Sequence, residues 1–443
     1  MNNMNKQTFS YLWLALICLP VDLCAATLQQ VAQAALSHDS AWQASRQTSE
    51  ADKQKRWQGL SGMLPTLTLE GSWERQQQPD KKYQSGIVSH SYGVQLSQPL
   101  FDISKYAGWR KGVAIATTAE AQARQAEEKL LAAVANAYFS VLYQQEVLRA
   151  AQTATRQFAQ QVKQLRAGAE NGLNTRTEVD EASANYAIAQ AKEIEAGSQL
   201  LLAGEALRRL SGLNSDALEP VNFRCLNALP YPSLADALMA SQQRNSEIRL
   251  ATTHSAQADA DVLAATGAHL PVASLYAHYG KNWSRSDNRD NLLYDAIFGT
   301  SAKTSNLQYG VNVSMPLFAG GSQVSQSFEA SHRREAAKYS LQDAQRKAAE
   351  ETRTAWLGLT NGSALIDAQN HAVDAARAKV ISVRYGRELG FRTVNDEMEA
   401  QQKYFTTLQD LAAARLNYLS ALVSLAQSTG ALSLAALHDF QCR

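Results

Sequence analysis

The same turn sequence occurs twice in this chain, at widely separated positions. The segment NGLNTRTEVDEA occupies residues 171–182, and LGFRTVNDEMEA occupies residues 389–400. Gly172 thus corresponds to Gly390, and a second pair of glycines, Gly212 and Gly430, recurs with the same spacing. Because this period is far longer than that of solenoid repeats, the chain is predicted to be one large unit built twice.

Paired motifs define the extent of each unit. A Leu-Pro pair and, further on, a Pro-Leu-Phe motif recur in both halves. The repeats are predicted to cover residues 27–225 and 226–443. Each is expected to contain a helix, a β-hairpin, a long helix, a glycine turn and a return helix, and a tail ends the second. The predicted hairpins cover 64–100 and 270–317, and the predicted turns cover 168–176 and 386–393.

The segment 1–26 has the pattern of a secretory signal peptide. Lys6 precedes an apolar run from Phe9 to Leu19, and the small residues Cys24-Ala25-Ala26 precede Thr27. A run of about 11 apolar residues is too short to cross a bilayer as a helix, which needs roughly 20. This segment is therefore predicted to be removed during export, and the alternative is an uncleaved anchor.

Charge and motifs exclude several classes of function. Lys and Arg number 42 against 41 Asp and Glu, so there is no basic excess to indicate a nucleic-acid partner. The eight histidines show no metal-ligand spacing, and no P-loop, Gly-x-Ser-x-Gly elbow or dinucleotide motif occurs. We therefore expect no catalytic residues, no metal and no cofactor.

Two cysteines occupy equivalent places after the two repeats. Cys225 and Cys442 occur in the matching sequences Phe-Arg-Cys and Phe-Gln-Cys. In an oxidising compartment an isolated pair at equivalent positions could form a disulfide. Two unpaired thiols are the alternative, and the sequence leaves both open.

The positions of the prolines predict very long helices. The chain has nine prolines, but none lies between Pro99 and Pro220 and none follows Pro316. Proline is excluded from helix interiors, and these stretches are rich in good helix formers. One helix from Ser104 to about Gly168 would be roughly 98 Å long. The second repeat offers nearly the same length, and each repeat also has an opening helix (Leu28 to Gly62, Leu234 to Gly267) and a return helix, each of about 35 residues.

The segments between these helices alternate in polarity with a period of two. Leu67, Leu69 and Trp73 lie on one face of the first segment, and Tyr309 and Val311 lie on one face of the last. Such alternation predicts half-buried strands, here about 10 residues long, which is the length of a tilted membrane-crossing strand. Aromatic residues near the strand ends are typical of a membrane-interface belt. The alternative is two hairpins packed on the helices in water.

Four strands in lipid would require other copies of the chain. An open sheet edge in hydrocarbon leaves backbone groups without partners, and known even-numbered barrels begin at eight strands. Two copies would give eight strands and three would give twelve. Three copies would also assemble twelve helical strands into a wide tube, so the sequence predicts a conduit.

The motifs taken together resemble those of the TolC-like outer-membrane factors. These motifs are Q-P-L-F-D-I-S-K and M-P-L-F-A-G-G at the ends of the hairpins, Leu-Pro before the first strand of each hairpin, and the two G-x-x-T turns. The resemblance covers Thr27 to Leu432. It implies a mainly α fold with membrane β, in which a homotrimer forms a twelve-stranded β-barrel continuous with a long α-helical, coiled-coil periplasmic barrel.

The same resemblance implies an outer-membrane exit duct for efflux or type I secretion. Such a duct lies in outer-membrane lipid, extends across the periplasm, and works with a periplasmic adaptor protein and an inner-membrane ABC or RND-type transporter. The resemblance implies that the adaptor docks at the glycine turns, here at Gly172, Leu173, Gly390 and Phe391. The alternative function is a periplasmic or surface helical scaffold without a pore.

The resemblance also implies a gate at the two turns. Thr177 and Glu178 match the first-turn partners, and Arg392 matches the arginine that bonds to them across neighbouring coils. Asp396 and Glu399 match two acidic rings that line the aperture. Ordinary helix capping by Thr175 and Thr393 also accounts for acidic residues in these first turns.

One gate position departs from the pattern of the TolC-like proteins. Arg387 stands where many members have a tyrosine three residues before the second glycine. Many members also have aspartate where this chain has Glu178 and Glu399. These differences predict a gate whose links differ from those of the tyrosine-containing members.

Overall fold

The computed structural model describes residues 25–77, 87–214, 217–223, 230–286 and 302–440. The first repeat contains three short helices, two strands and two longer helices. The second repeats this order with two short helices and adds a terminal helix. The elements of the first repeat are α1 (Leu28–His38), α2 (Ser40–Lys53), α3 (Lys55–Ser61), β1 (Thr66–Gln76), β2 (Ile87–Phe101), α4 (Ile103–Glu170) and α5 (Arg176–Ser211). Those of the second are α6 (Leu234–Arg244), α7 (Ser246–Gly267), β3 (Val272–Ser286), β4 (Ala302–Ser314), α8 (Ser322–Glu388), α9 (Val394–Ser428) and α10 (Leu434–Asp439).

The two long helices form as the proline-free stretches predict. Helix α4 has 68 residues and α8 has 67, so each is about 100 Å long. The side chain of Asp102 caps α4 by accepting hydrogen bonds from the backbone of Ser104 and Lys105. Gly321, with φ of +82°, precedes α8, a backbone conformation that favours glycine. Local sequence therefore determines where these helices begin and end.

The predicted single opening helices are wrong. The first is interrupted after His38 and again at Gln54, and the second is interrupted at Asn245. Asp39 and Asn245 have non-helical backbone, and their side chains cap the following helix, with Asp39 accepting from the Trp42 backbone N–H at 2.7 Å. A side chain that caps a new helix ends the previous one, because the cap residue leaves the helical conformation.

Each return helix ends against a short helix of its own repeat. Gly212 ends α5 with φ of +71° beside the ring of His38, and Gly430 follows α9 with φ of +64° against the backbone of Arg244. At the second of these junctions the Asn245 side-chain amide donates to the Ser428 carbonyl at 2.9 Å. The end of each return helix therefore lies against the break in the opening helix of its own repeat.

The four strands form one antiparallel sheet in the order β1-β2-β3-β4. The central pairing, β2 with β3, joins the two repeats and sets Gly93 opposite Gly280. The strands are longer than the predicted length of about 10 residues, with 11 to 15 residues, because the pairing continues through 87–91 and 302–306. Strands β1 and β4 are the two open edges of the sheet.

Two apolar clusters hold the helices together. The larger surrounds the fully buried Tyr138, whose hydroxyl donates to the carbonyls of Ala26 (3.0 Å) and Glu219 (2.7 Å). Ala26 also forms an isolated parallel β-bridge with Leu218, in the segment that follows α5. The predicted signal segment lies outside the described residues up to position 24, whereas Ala26 belongs to the folded part.

The smaller cluster lies towards the glycine turns. It contains Phe158, Leu165, Val394, Met398 and Phe405, which come from α4 and α9.

Across the described residues, no helix combines the length and apolar character that would let it cross a membrane.

Candidate functional site at the helix-hairpin tips

Two helix hairpins, α4–α5 and α8–α9, end in turns with the same backbone. Gly172 and Gly390 have φ of +70° and +78°, a conformation that glycine adopts without a steric cost. In each turn the residue after this glycine donates its N–H to the carbonyl of a glycine five residues earlier, at 2.8 Å. These next residues, Leu173 and Phe391, are 80% and 81% exposed. The predicted docking residues therefore lie together on an open apolar surface at each tip.

Both return helices begin with a reciprocal capping box. In the first, the Thr175 hydroxyl accepts from Glu178 N–H (3.3 Å), and a Glu178 carboxylate oxygen accepts from Thr175 N–H (2.8 Å). In the second, Thr393 and Asp396 exchange the same two bonds at 3.1 and 2.9 Å. These backbone hydrogen bonds are the main reason that the pKa of the Glu178 and Asp396 carboxyls lies below its usual value.

Arg387, a predicted gate residue, contacts a partner that the sequence reasoning missed. Its Nε lies 2.6 Å from Oε2 of Glu397, an ion pair whose angles are not those of a hydrogen bond. Arg384 donates to Oε1 of the same carboxylate at 3.0 Å. Glu397 stands between Val394 and Met398 on the buried face of α9, and an acidic residue at such a position is the sequence signal from which a basic partner could have been predicted.

Arg392 is positioned differently. The stem of its side chain packs on Gly386, where a Cβ would clash with it. Among the described residues of one chain, its guanidinium forms no hydrogen bond or ion pair, and nothing joins it to Thr177 or Glu178. Thr177 and Glu399 are exposed. Within a single chain the structure therefore brings the turn residues of each hairpin together but does not link the two hairpins through Arg392.

The sheet at the other end of the molecule has a continuous apolar face. The register sets Leu69 opposite Val94, Val94 opposite Tyr279, and Tyr279 opposite Leu307, so one apolar row crosses all four strands. A neighbouring row contains Leu67, Leu96, Ala277 and Tyr309. Leu69 is 78% exposed and Tyr309 is 74% exposed in the single chain.

Such a sheet, continued by helix hairpins about 100 Å long, is characteristic of a protein that places strands in a membrane and helices beside it. The apolar face suits contact with lipid, and the helices extend well beyond the thickness of a bilayer. The class of protein that the fold defines is a channel subunit with a membrane sheet and a long helical extension.

Comparison with known proteins identifies the family. The model of the outer membrane efflux protein family matches residues 31–213 and 237–431, and the chain belongs to this family. It is 30% identical over 436 residues to the alkaline protease secretion protein AprF of Pseudomonas aeruginosa, covering 95% of this chain and 88% of the relative. It is 27% identical over 420 residues to the outer membrane protein TolC of Escherichia coli K12, covering 92% and 83%.

Solved structures show the same fold. A CusC structure aligns with a TM-score of 0.78 at 17% identity and covers 91% of this chain and 92% of that one. The outer membrane protein VceC of Vibrio cholerae aligns with a TM-score of 0.75 at 19% identity and covers 91% and 96%.

These matches confirm the predicted fold class, the internal duplication and the outer-membrane location. Each of the two matched segments of the family model lies within one of the two predicted repeats. Cys225 and Cys442 both lie outside the described residues, so their pairing stays a prediction.

Proposed function

We propose that three copies of this chain form the exit duct of a tripartite efflux or type I secretion system. In this assembly the four strands of each copy contribute to a twelve-stranded barrel in the outer membrane. The helices form a tunnel across the periplasm. The duct is passive, and its opening is controlled at the hairpin tips.

The observation that carries this proposal is the pair of open sheet edges. Strands β1 and β4 have exposed apolar side chains, and in the part of the chain that the structure describes each has one side without a neighbouring strand. Backbone groups along such an edge cannot find partners in hydrocarbon, so an edge in lipid must pair with the edge of another copy. The apolar rows across the sheet would then form one outward band.

The names of relatives support export of macromolecules. One relative is named an alkaline protease secretion protein, and another, from Dickeya chrysanthemi, is named a proteases secretion protein at 23% identity. We propose that a periplasmic adaptor contacts Gly172, Leu173, Gly390 and Phe391. It would link the duct to an inner-membrane ABC or RND-type transporter. The bare glycine backbone lets an approaching helix come close to each turn.

The gate is proposed to act between hairpins. The Arg392 guanidinium helps to lower the pKa of Asp396 in its own chain but makes no hydrogen bond or ion pair among the described residues, and we propose that it bonds to Thr177 and Glu178 of a neighbouring hairpin. Glu178 uses one carboxylate oxygen for its capping box, and its other oxygen is left for an arginine. Asp396 and Glu399, repeated around the axis, would line the closed aperture with negative charge.

The experiment that tests the duct combines mass and conductance. We expect native mass spectrometry of the detergent-solubilised protein to give a trimer, and planar bilayers to show discrete channels. A stable monomer with folded strands would overturn the proposal and favour the scaffold. Trimers that never conduct would separate assembly from transport and would also count against the duct.

A further inference from the structure

The most deeply buried acidic group near the tips is Glu397, whose side chain is only 4% exposed. Its carboxylate contacts both Arg384 and Arg387 of α8, and Gln401 one turn further along α9 donates to it at 3.2 Å. A carboxylate can remain charged in such a place only if it is paired and hydrogen-bonded. These four residues are called the Glu397 cluster below.

The Glu397 cluster closes the loop that carries the proposed functional residues. Arg384 and Glu397 are 13 positions apart in sequence, and the loop between them contains Gly390, Phe391 and Arg392. The contact of Glu397 with Arg384 and Arg387, called the clamp below, thus connects the end of α8 to the start of α9 at the base of the turn. A change that weakens this contact is therefore expected to make the backbone at Arg392 more mobile.

The first repeat lacks this clamp. When the two turn glycines are aligned, Glu397 corresponds to Val179 and Arg387 corresponds to Ala169. Val179 packs as a partly buried apolar residue against the cluster of Phe158 and Phe405. The two hairpins therefore have the same turn backbone, but the contact at the base of the turn is apolar in the first and ionic in the second.

We infer that Glu397 is a positioning residue of the gate. It holds Arg384 and Arg387 inside their own hairpin and fixes the turn so that Arg392 alone extends towards a neighbouring hairpin. The second hairpin then moves as one clamped unit when the duct opens. The gating part of this inference rests on the proposed function, whereas the clamp itself does not.

The decisive variant, E397V, gives the second hairpin the valine that the first hairpin has at the equivalent position. In E397V we expect amide exchange across residues 386–393 of the full-length protein in detergent to accelerate about tenfold or more, because two arginines lose their buried partner. We also expect a higher and noisier single-channel conductance. Asp410→Asn, on an exposed site of the same helix, is the matched control and should change neither measurement.

A second pair of variants keeps the test independent of how well E397V folds. R387A removes one partner from the partly exposed side and should accelerate the same amides by a smaller factor. V179E combined with A169R builds the clamp in the first hairpin, beside the existing Arg166, and should slow exchange across 168–175.

The outcomes separate the two levels of the inference. Unchanged exchange in both E397V and R387A would overturn the clamp. Faster exchange with wild-type conductance in a working channel would overturn the positioning role and leave Glu397 as a purely structural group. If wild-type protein forms no channels, the duct proposal fails, while the exchange data still decide the clamp.

Discussion

The tips of the two helix hairpins have the same backbone but are held by different side-chain chemistry. Both have a glycine with positive φ and a reciprocal capping box. At the base of the turn, however, Val179 packs among apolar side chains in the first hairpin, whereas Glu397 binds two arginines in the second. After duplication, the backbone requirements of a tight helical turn stayed the same, and the contacts that decide how each hairpin is closed diverged.

A second difference concerns which hairpin can reach outwards. At equivalent positions the first turn has Asn174 and the second has Arg392. The Asn174 amide donates at 3.4 Å to Glu178 of its own capping box, whereas Arg392 has no such partner among the described residues of its chain. We therefore propose that the link between hairpins comes from the second repeat.

The largest expected effect is the loss of export when either turn glycine is replaced by a bulky residue. If the adaptor contacts both tips, Gly172→Trp and Gly390→Trp should each reduce export at least about tenfold while trimers still form, because an indole blocks close approach to the backbone. Secretion assays with native mass spectrometry of the same preparations measure this. Gly172→Ala and Gly390→Ala carry the strain of positive φ without the bulk and serve as controls.

The same pair of variants shows whether the adaptor contacts both tips or only one. Loss of export in only one of them would show that the adaptor uses one hairpin. Normal export by both tryptophan variants would remove the glycine turns from the docking surface.

Arg392 should have the next largest effect. Each charge-assisted link proposed for it would contribute about 1–3 kcal/mol, and the symmetry of the proposed trimer would multiply the loss. We expect Arg392→Ser to raise single-channel conductance several-fold in planar bilayers. Asn174→Ser, its counterpart in the first repeat, should leave conductance at the wild-type value. Equal conductance in both variants would remove Arg392 from the gate.

Substitution of the acidic residues at the two tips is expected to have a smaller effect than substitution of Arg392. Asp396→Ala with Glu399→Ala is expected to weaken cation selectivity and block by multivalent cations, because rings of negative charge attract cations. Glu178→Ala with Glu181→Ala alters the matching positions of the first repeat. Reversal potentials in a salt gradient compare the two double variants. Unchanged selectivity in the first would place Asp396 and Glu399 on an ordinary solvated helix face.

The smallest effect is expected from acid, and it should be the same at both tips. The pKa of Glu178 and of Asp396 is lowered mainly by backbone hydrogen bonds in the capping boxes. Their contribution to stability is therefore present above the unfolded-state pKa and is lost as the pH falls through the folded-state pKa. We expect the first turns of α5 and α9 to fray together in acid, as followed by amide exchange.

A variant separates this capping effect from other titrations. Asp396→Asn has no carboxylate to titrate, so the acid-dependent fraying of α9 should disappear while that of α5 remains. Persistence of the full pH dependence at α9 would assign it to another group.

Much of the architecture could be predicted from local signals. The absence of proline between Pro99 and Pro220 predicts α4 to within a few residues, and the duplicated glycines predict both turns, because these residues act through the backbone of their own segment. Alternation of polarity predicts four strands, since a strand has only two faces. The unbroken opening helix predicted across Asn245 is wrong because the Asn245 side chain caps the following helix and so ends the one before it.

The partner of Arg387 could be decided only by the tertiary structure. The sequence places Arg384 and Arg387 on one helix and Glu397 on the next, but pairing depends on how α9 is rotated against α8. The apolar cluster packs Val394, Met398 and Phe405 of α9 against α4 and α5, whereas the contact of Glu397 with the two arginines joins α9 to α8. Spacing along one helix determines which side chains share a face, and only the packing of two helices determines which faces meet.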